Sequence, residues 1–399
     1  MLNGFLRLTN LSCSSKHICK NAIYRNLVTQ AKALTIRNKI VNEAEKIVGY
    51  PTSFLSLRWL LNDEIANIIS HIKRLIGTNH PLLASARGLL LGNEIPTWGL
   101  IVLLISKAGG LPKDVSEIDK DIMAGILHSQ RVLAEVTEMI HTSNILHNSI
   151  LNISQNNPQY SDLNFGNTLS LLSGDFLLSS SFKELAGLKN QEVNELVSAC
   201  LRDLTEAAFI EPRDEQNRAL PAKPLKMQTD IVIPNEFGTK PLKIKDVLGN
   251  AKAEWTLRHF LGTASLLAKC CQGALKLAGH SDNFQKLGYI FGKNMALAWK
   301  ANEDLEAFQL NKDGIFDLVA APVLFHLQHD PAFYDEILKG SQNIEDCDYK
   351  KMREMIHCGP ALKLTQDLKQ ELVENSIEVL QQFSDSDARS ALINIVKVW

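Results

Sequence analysis

Acidic residues are absent from the first 42 positions of this 399-residue chain, and all 44 Asp and Glu residues follow. The same stretch contains seven basic residues among serines, threonines and leucines: Arg7, Lys16, Lys20, Arg25, Lys32, Arg37 and Lys39. A basic, acid-free segment without a compact apolar core is typical of a mitochondrial transit peptide and argues against a secretory signal. We therefore expect residues 1–42 to target the mitochondrial matrix, with a disordered basic tail as the alternative.

The chain also lacks a cysteine framework, a long apolar run and a basic excess. Its seven cysteines form no CxxC pair, which argues against a zinc site or disulfide scaffold and favours reduced thiols inside a cell. The most apolar run, residues 99–105, is much shorter than the roughly 20 residues that span a bilayer. The net charge of −2 argues against a general nucleic-acid binder.

Helical periodicity is present from about residue 43 to the end of the chain. Apolar side chains recur every three or four residues, which predicts helices over residues 98–107, 133–152, 165–178, 184–210, 251–278 and 287–308. Within one of them, Gly174 would let another helix approach closely, and Asp175 requires a polar partner. Residues 211–250 contain five prolines without periodicity and are predicted to be a loop insert: a lid, a partner-binding segment or a disordered one. We expect an all-α fold, with one large helical bundle over residues 43–399.

Two of these helices resemble the heart of the trans-isoprenyl (polyprenyl) diphosphate synthase family. The matching stretches are Ile140-His141-Thr142, Ile145-Leu146-His147 and the run LLSGDFLL at residues 171–178. The resemblance extends over about residues 45–399, with the helices in the same order. It implies the isoprenoid-synthase helical fold and the extension of an allylic diphosphate by isopentenyl diphosphate, assisted by Mg²⁺ bound to two Asp-rich motifs.

The chain departs from the family at the first of these motifs. Asn148, Ser149 and Asn152 stand where the family has three aspartates, and we call them the first-motif positions. Mg²⁺ is a hard cation that prefers anionic oxygen ligands. The three residues keep the spacing of the motif but none of its charge.

The second motif is altered too. Glu303, Asp304 and Ala307 occupy the second-motif positions, so two acids remain and a single metal contact stays open as an alternative. Lys300 lies one helical turn before the acids, at i−3 and i−4. Its ammonium could pair with both acids where the charge of the metal would otherwise lie. The alternative is an ordinary solvated cluster.

Basic residues that grip diphosphate in the family are also missing here. Gly262 stands where the family has a lysine, and the resemblance gives no counterpart to the family's arginine pair after the first motif. Lys269, two turns beyond Gly262, is predicted to be a surface or partner-facing residue. Residues that would bind the two substrates are thus partly lost, while the helical fold is kept.

The resemblance therefore implies a non-catalytic or regulatory subunit of a hetero-oligomeric, decaprenyl-type all-trans polyprenyl diphosphate synthase. Such an enzyme makes the side chain of ubiquinone from farnesyl or geranylgeranyl diphosphate and isopentenyl diphosphate. Its Mg²⁺ would belong to a catalytic partner subunit, with a heterotetramer as the expected assembly. Family interfaces lie around the first motif, which points to residues 125–145; the alternative is that this apolar face is core of the same chain.

Two other functions stay open at the level of sequence. The chain could be a self-sufficient prenyltransferase with an unorthodox metal site formed by Asp175, Glu303 and Asp304. It could also be an isoprenoid-binding protein that works without a partner. Turnover by the isolated chain would distinguish the first function, and tight binding of a prenyl diphosphate without turnover would distinguish the second.

Overall fold

The computed structural model describes residues 36–49, 73–75, 77–83, 97–111, 122–225, 247–309, 312, 314–340 and 342–398. It confirms an all-α fold. From residue 98 onward, the α-helices of the described part are α1 (Trp98–Gly109), α2 (His128–His147), α3 (Tyr160–Gly187), α4 (Gln191–Ala207), α5 (Ala251–His259), α6 (Ser265–Leu277), α7 (Asp282–Ala307), α8 (Ala321–His329), α9 (Phe333–Leu338), α10 (Tyr349–Cys358), α11 (Ala361–Gln381) and α12 (Asp387–Val398). A short hairpin, β1 (Ile122–Met123) and β2 (Ile126–Leu127), precedes α2.

Helix α6 lies at the centre of the bundle. Its residues 265–275 are all buried, and it contacts α1, α2, α4 and α7. Because other helices surround it, even its polar side chains Lys269 and Gln272 are buried. Gly292 of α7 lets that helix approach closely, because a Cβ at this position would lie 2.7 Å from the Leu267 carbonyl oxygen.

Helices α2 and α3 form a closely packed pair. A Cβ on Gly174 would meet the His147 ring, and the Ser143 hydroxyl donates to the Gly174 carbonyl at 2.8 Å. Asp175 Oδ1 lies 3.2 Å from His147 Nε2. The prediction for Gly174 is confirmed, because the two helices approach closely there. Asp175 lies beside His147, but its side chain is 58% exposed, so solvent can satisfy it without a protein partner.

The apolar face of α2 is part of this chain's own core. Leu133, Val136, Met139 and Ile140 are almost completely buried. They pack within the bundle that α1, α2, α3 and α6 form. For the apolar face of α2, this arrangement supports the core alternative.

Helix α2 ends at His147 and not at residue 152 as predicted. The Asn167 side chain binds both main-chain groups of Leu151, donating to its carbonyl at 2.7 Å and accepting from its N–H at 2.8 Å. The Ser149 hydroxyl donates to the Ile145 carbonyl at 2.9 Å. Asn and Ser compete in this way with helical hydrogen bonds. The first-motif positions therefore follow the helix end and do not share one helix face.

The helix predicted over residues 184–210 is also wrong in one respect. It consists of the end of α3 and the separate helix α4. Lys189 has a positive φ of 51°, and the Asn190 side chain caps α4 by accepting from the Val193 N–H at 3.1 Å. An Asn at this position is a strong helix start.

The other segments agree with their predictions or lie outside the described residues. Helix α1 is buried as predicted, and residues 251–278 are helical with one π-helical turn, Phe260–Ala264. Residues 211–225 and 247–250 of the insert contain no helix, and residues 226–246 lie outside the described residues.

A helical segment at 36–48 spans the predicted boundary at residue 42, and Arg37 pairs with Glu306 at 3.0 Å. Within the described residues, no helix is both long and apolar enough to cross a bilayer.

Candidate active-site cavity

A cavity of about 700 Å³ brings several of the predicted positions together. Asn148 and Asn152 line it beside Gly262. The remaining walls come from the end of α4, a turn at residues 213–219 and the segment around Asp317. Ser149 is buried instead, with its hydroxyl bonded to the Ile145 carbonyl.

Asn152 is held by three hydrogen bonds to the insert. Its side-chain NH₂ donates to the Glu215 carbonyl at 2.9 Å, and its main-chain N–H donates to Gln216 Oε1 at 3.0 Å. The Gln216 NH₂ donates to the Asn152 carbonyl at 2.9 Å. An ionised aspartate has no donor, so it could not make the bond to the Glu215 carbonyl. The neutral amide has a structural role that the family's carboxylate could not fill.

Gly262 lies in the π-helical turn between α5 and α6. A Cβ here would lie 3.7 Å from Ala207 Cβ, which is ordinary contact, so the position has room for a side chain. The π-helical turn places Gly262 on the cavity wall beside His259. Turns of this type are frequent at functional sites in proteins.

Three arginines line the cavity although the predicted basic positions are lost. Arg258 is buried and pairs with Glu254 at 2.9 Å, while Arg218 pairs with Glu345 at 2.6 Å. Arg213 donates to the carbonyls of Ala207 and Asn217, each at 2.6 Å. Burial, and then the charge of Arg258, lower the pKa of Arg213. All three guanidinium groups therefore already bind groups of the protein.

His259 is a further cavity residue that the sequence did not point to. Its side chain is buried against Trp255, and its ring lines the cavity. Burial, and then the positive charge of Lys300, lower the pKa of His259 to about 3. The imidazole is therefore neutral at physiological pH. The acids that line the cavity within the described residues are Glu215 and Asp317.

Asp304 of the second motif is a buried anchor. It is 2% exposed, and its Oδ2 accepts from Trp255 Nε1 at 2.8 Å and from the Ala321 N–H at 2.9 Å. Lys300 Nζ lies 3.0 Å from its Oδ1. One carboxylate thus joins α5, α7 and the first turn of α8.

Lys300 also lies 3.9 Å from Glu303, so the pairing proposed from the sequence is present. Burial lowers the pKa of Lys300, but Asp304, Asp317 and Glu303 raise it by more, and the net pKa lies above the ordinary value. Glu303 accepts from Trp299 Nε1 at 3.0 Å, and burial is the main reason why its pKa is raised. The ammonium remains charged beside both acids.

Neither Asn152 nor Asp304 presents a free carboxylate oxygen to Mg²⁺. The Asn152 amide is used as a donor, while Asp304 already accepts two N–H groups and an ammonium. Mg²⁺ requires near-octahedral oxygen ligands and usually one or two carboxylates. In the described part of the chain, no group of three or more His, Cys, Asp or Glu side chains could hold a metal ion.

Two further positions differ from the sequence interpretation. Lys269 is 2% exposed and forms an ion pair with Asp203, which also accepts from the Ser265 hydroxyl. The prediction of a surface position for Lys269 is therefore wrong, because α4 supplies a buried acid to α6. Asp175 pairs with His147 on the α2–α3 pair and is not among the residues that line the cavity in the described part.

Solved structures place this architecture in a known class. The geranylgeranyl pyrophosphate synthase from Lactobacillus brevis superposes with a TM-score of 0.58 at 14% identity, covering 94% of this chain and 97% of that one. The polyprenyl synthase from Caulobacter crescentus, solved with calcium and isoprenyl diphosphate, gives 0.56 at 17% identity, covering 90% and 97%. The fold is that of the isoprenoid synthase class.

Relatives in sequence define the family more closely. The all trans-polyprenyl-diphosphate synthase PDSS2 of Mus musculus is 37% identical over 369 residues, 90% of this chain and 86% of the mouse protein. The Homo sapiens protein of the same name is 38% identical over 370 residues, with the same coverage. Solanesyl-diphosphate synthase 1, mitochondrial, of Oryza sativa is 26% identical over 366 residues, 85% of this chain and 76% of that protein. No protein-family model matches. The chain belongs to the polyprenyl diphosphate synthase family.

Proposed function

We propose that this chain is a non-catalytic subunit of a hetero-oligomeric all-trans polyprenyl diphosphate synthase that makes the side chain of ubiquinone. Its catalytic partner supplies the intact Asp-rich motifs and their Mg²⁺. The relatives at 37–38% identity, named as all trans-polyprenyl-diphosphate synthase, support the reaction. The observation that carries the non-catalytic role is Asn152, whose amide and main chain bind the insert with three hydrogen bonds.

The chemistry of prenyl transfer explains why this observation matters. Ionisation of an allylic diphosphate develops negative charge that preorganised cations must stabilise away from water. The cavity offers neutral amides at the first-motif positions, and Asp304 is committed to Trp255 and Ala321. The arginines on the wall are bound to carbonyls and carboxylates of the protein. The cavity therefore supplies little charge for catalysis.

Helix α3 presents the surface that we assign to the partner. Its main helix neighbour in the described residues is α2, and three of its large apolar side chains are exposed. Leu172 is 61% exposed, Leu171 46% and Phe182 45%. Exposed apolar patches on one element mark interaction sites more often than chance. A catalytic subunit that buries this face would be stabilised by the contact.

The test is an assay of radiolabelled isopentenyl diphosphate incorporation with farnesyl diphosphate and Mg²⁺. It compares this chain alone, the catalytic subunit alone and the two co-expressed. We expect product only from the co-expressed pair, with a yield unchanged by Glu303→Gln in this chain. Mg²⁺-dependent product from the isolated chain, reduced by Glu303→Gln, would instead identify a self-sufficient enzyme.

We also propose the mitochondrial matrix as the location of the mature chain. The acid-free N-terminal composition supports this, and the rice relative is named as mitochondrial. Because Val41 and Ala44 pack in the core and Arg37 pairs with Glu306, we place processing before residue 36. Peptide mapping of the imported protein should find a first residue at or before 36; a mature chain that begins after residue 36 would contradict this.

A further inference from the structure

The insert forms a compact turn at residues 213–219. An antiparallel bridge pairs Arg213 with Ala219, and Asp214 Oδ1 accepts from the main-chain N–H groups of Gln216 at 3.0 Å and Arg218 at 2.7 Å. Asp214 is buried. Hydrogen bonds between a carboxylate and main-chain N–H groups are among the stronger ones in proteins. The turn therefore has a fixed shape of its own.

One end of this turn holds the first motif. Gln216 both accepts from the Asn152 N–H and donates to the Asn152 carbonyl, as a neighbouring strand would. The third bond joins the Asn152 amide to the Glu215 carbonyl. All three residues line the cavity. A ligand that uses the main chain of Asn152 must first displace Gln216.

The other end of the turn is attached to the C-terminal third of the chain. Asp214 Oδ2 accepts from the buried Ile344 N–H at 3.1 Å, and the Glu215 N–H donates to the Gln342 carbonyl at 2.9 Å. The Arg218–Glu345 ion pair lies beside these bonds. One carboxylate oxygen of Asp214 thus binds main-chain N–H groups within the turn, and the other binds the N–H of Ile344.

We propose that the 213–219 turn is a two-ended clamp, which couples the first-motif end of the cavity to residues 342–345 and must release Asn152 before a ligand can bind the main chain or the side-chain NH₂ group of that residue. Loosening the C-terminal end then loosens the first motif, although no residue of 342–345 is bonded to Asn152 in the contacts described above. The clamp controls access to the same cavity on which the proposed function rests. Its test uses the isolated chain without partner or substrate, so the clamp and the subunit role fail separately.

Hydrogen–deuterium exchange of the full chain measures the coupling at residues 148–155 and 342–347. Gln216→Ala removes the bonds to the main chain of Asn152, and we expect exchange at 148–155 to rise on the order of fivefold. Asp214→Asn places an NH₂ group against one of the N–H donors, so exchange should rise at both segments. Gln191→Ala is the matched control, because Gln191 makes a similar exposed bond to Glu195 at 3.0 Å on α4.

The coupling is overturned if Asp214→Asn speeds exchange at 342–347 and leaves 148–155 at the wild-type rate. It is equally overturned if Gln216→Ala leaves residues 148–155 as protected as in the wild type. If Asp214→Asn does not fold, Glu345→Gln gives the same readout, because it weakens the exposed ion pair to Arg218 without touching the buried carboxylate. Circular dichroism confirms that each variant keeps its helices.

Discussion

Glu138 is a single buried residue that makes the stability of this fold depend on pH. It lies on α2 and contacts the first turn of α1, where its Oε2 accepts from the Gly99 N–H at 3.2 Å. Burial raises the pKa of Glu138 to about 7, although hydrogen bonds from Gly99 and Trp98 lower it in part. The folded protein therefore binds a proton at this carboxylate more tightly than the unfolded chain does.

The pH dependence follows from that shift. A folded-state pKa of about 7 against an ordinary 4.5 gives stability that is complete below pH 4.5 and is lost as the pH rises to 7. We expect the free energy of unfolding to lose about 2–3 kcal/mol from Glu138 between pH 5 and 8. Glu138→Gln should remove this part of the slope, as urea unfolding at several pH values would measure.

His141 is a second buried group whose titration affects the free energy of unfolding, and its effect must be separated from that of Glu138. It stacks on Trp98 with ring centroids 4.5 Å apart, and burial lowers its pKa to about 4. Its stabilising contribution is present above pH 6.5 and is lost as the pH falls towards 4, the opposite sign to Glu138. The difference between wild type and Glu138→Gln cancels this contribution. A difference that does not change with pH would contradict the role of Glu138.

The sequence predicted least about the contacts of individual side chains. Lys269 contacts Asp203 only in the tertiary fold, because the two residues are 66 positions apart. Likewise, Asn152 and Gln216 are 64 positions apart. A lysine in an amphipathic pattern is ordinarily exposed, and nothing local signals a buried acid on another helix. The loss of charge at Asn148 and Asn152 was visible in the sequence. The hydrogen bonds that the amides make were not.

Among the helices, α7 and the π-helical turn offer a matched pair of glycines. A Cβ on Gly292 would lie 2.7 Å from the Leu267 carbonyl oxygen and 2.9 Å from Ala268 Cα, whereas one on Gly262 meets only Ala207 Cβ at 3.7 Å. Gly292→Ala must therefore push α7 away from α6, at a cost of about 1–3 kcal/mol. Gly262→Ala should be neutral or stabilising by about 0.5–1 kcal/mol.

Thermal and urea unfolding of the two alanine variants checks this contrast. The chemical change is the same in both, so their difference reports the space at each position. Equal stability of the two variants would mean that the α6–α7 approach tolerates a methyl group.

The exposed apolar side chains of α3 give a second prediction about an element. Leu172→Glu and Phe182→Glu should each weaken binding of the catalytic subunit by on the order of tenfold or more, because a charge would be buried in the contact. Folding of the isolated chain should be unaffected, since both side chains are already exposed. Co-purification with the tagged partner measures the effect.

Leu364→Glu is the control for this experiment. Leu364 is 40% exposed on α11, outside the face that we assign to the partner. It should leave partner binding unchanged. Equal loss of binding in all three variants would point to a general effect of surface charge and not to an interface on α3.

Helix positions followed from periodicity, whereas several helix ends did not. The apolar spacing located α1, α3, α7 and the pair α5–α6, because burial of one face is a property of the local sequence. The ends of α2 and α3 depend on contacts from elsewhere or on a local cap. Asn167 captures Leu151, and Asn190 starts α4 after Lys189. Helical spacing alone does not record such bonds.

At the scale of the whole molecule, the second motif holds several helices together. Trp255 of α5, Lys300 of α7 and the N-terminus of α8 all meet at the carboxylate of Asp304. The neighbouring Glu303 is half exposed and accepts from Trp299 on its own helix. Two adjacent acids of one motif therefore have different roles: the first is peripheral, and the second supports the packing of three helices.

Replacing each acid by its amide separates these roles. Asp304→Asn keeps the size of the side chain, but its NH₂ must face either Lys300 or the two N–H donors from Trp255 and Ala321. We expect a loss of about 3–5 kcal/mol in unfolding free energy, because a buried charge pair loses one partner. Glu303→Gln should cost less than about 1 kcal/mol, as for other partly exposed pairs.

Urea unfolding with and without MgCl₂ then distinguishes an anchor from a metal ligand. If Asp304 is an anchor, the loss in Asp304→Asn is the same in both conditions, and the wild type gains no stability from the ion. A wild type that Mg²⁺ and inorganic diphosphate stabilise, by an amount that both Asp304→Asn and Glu303→Gln remove, would assign metal binding to these acids. In that case the retained acids would serve the chemistry of this chain, and the non-catalytic role would have to be abandoned.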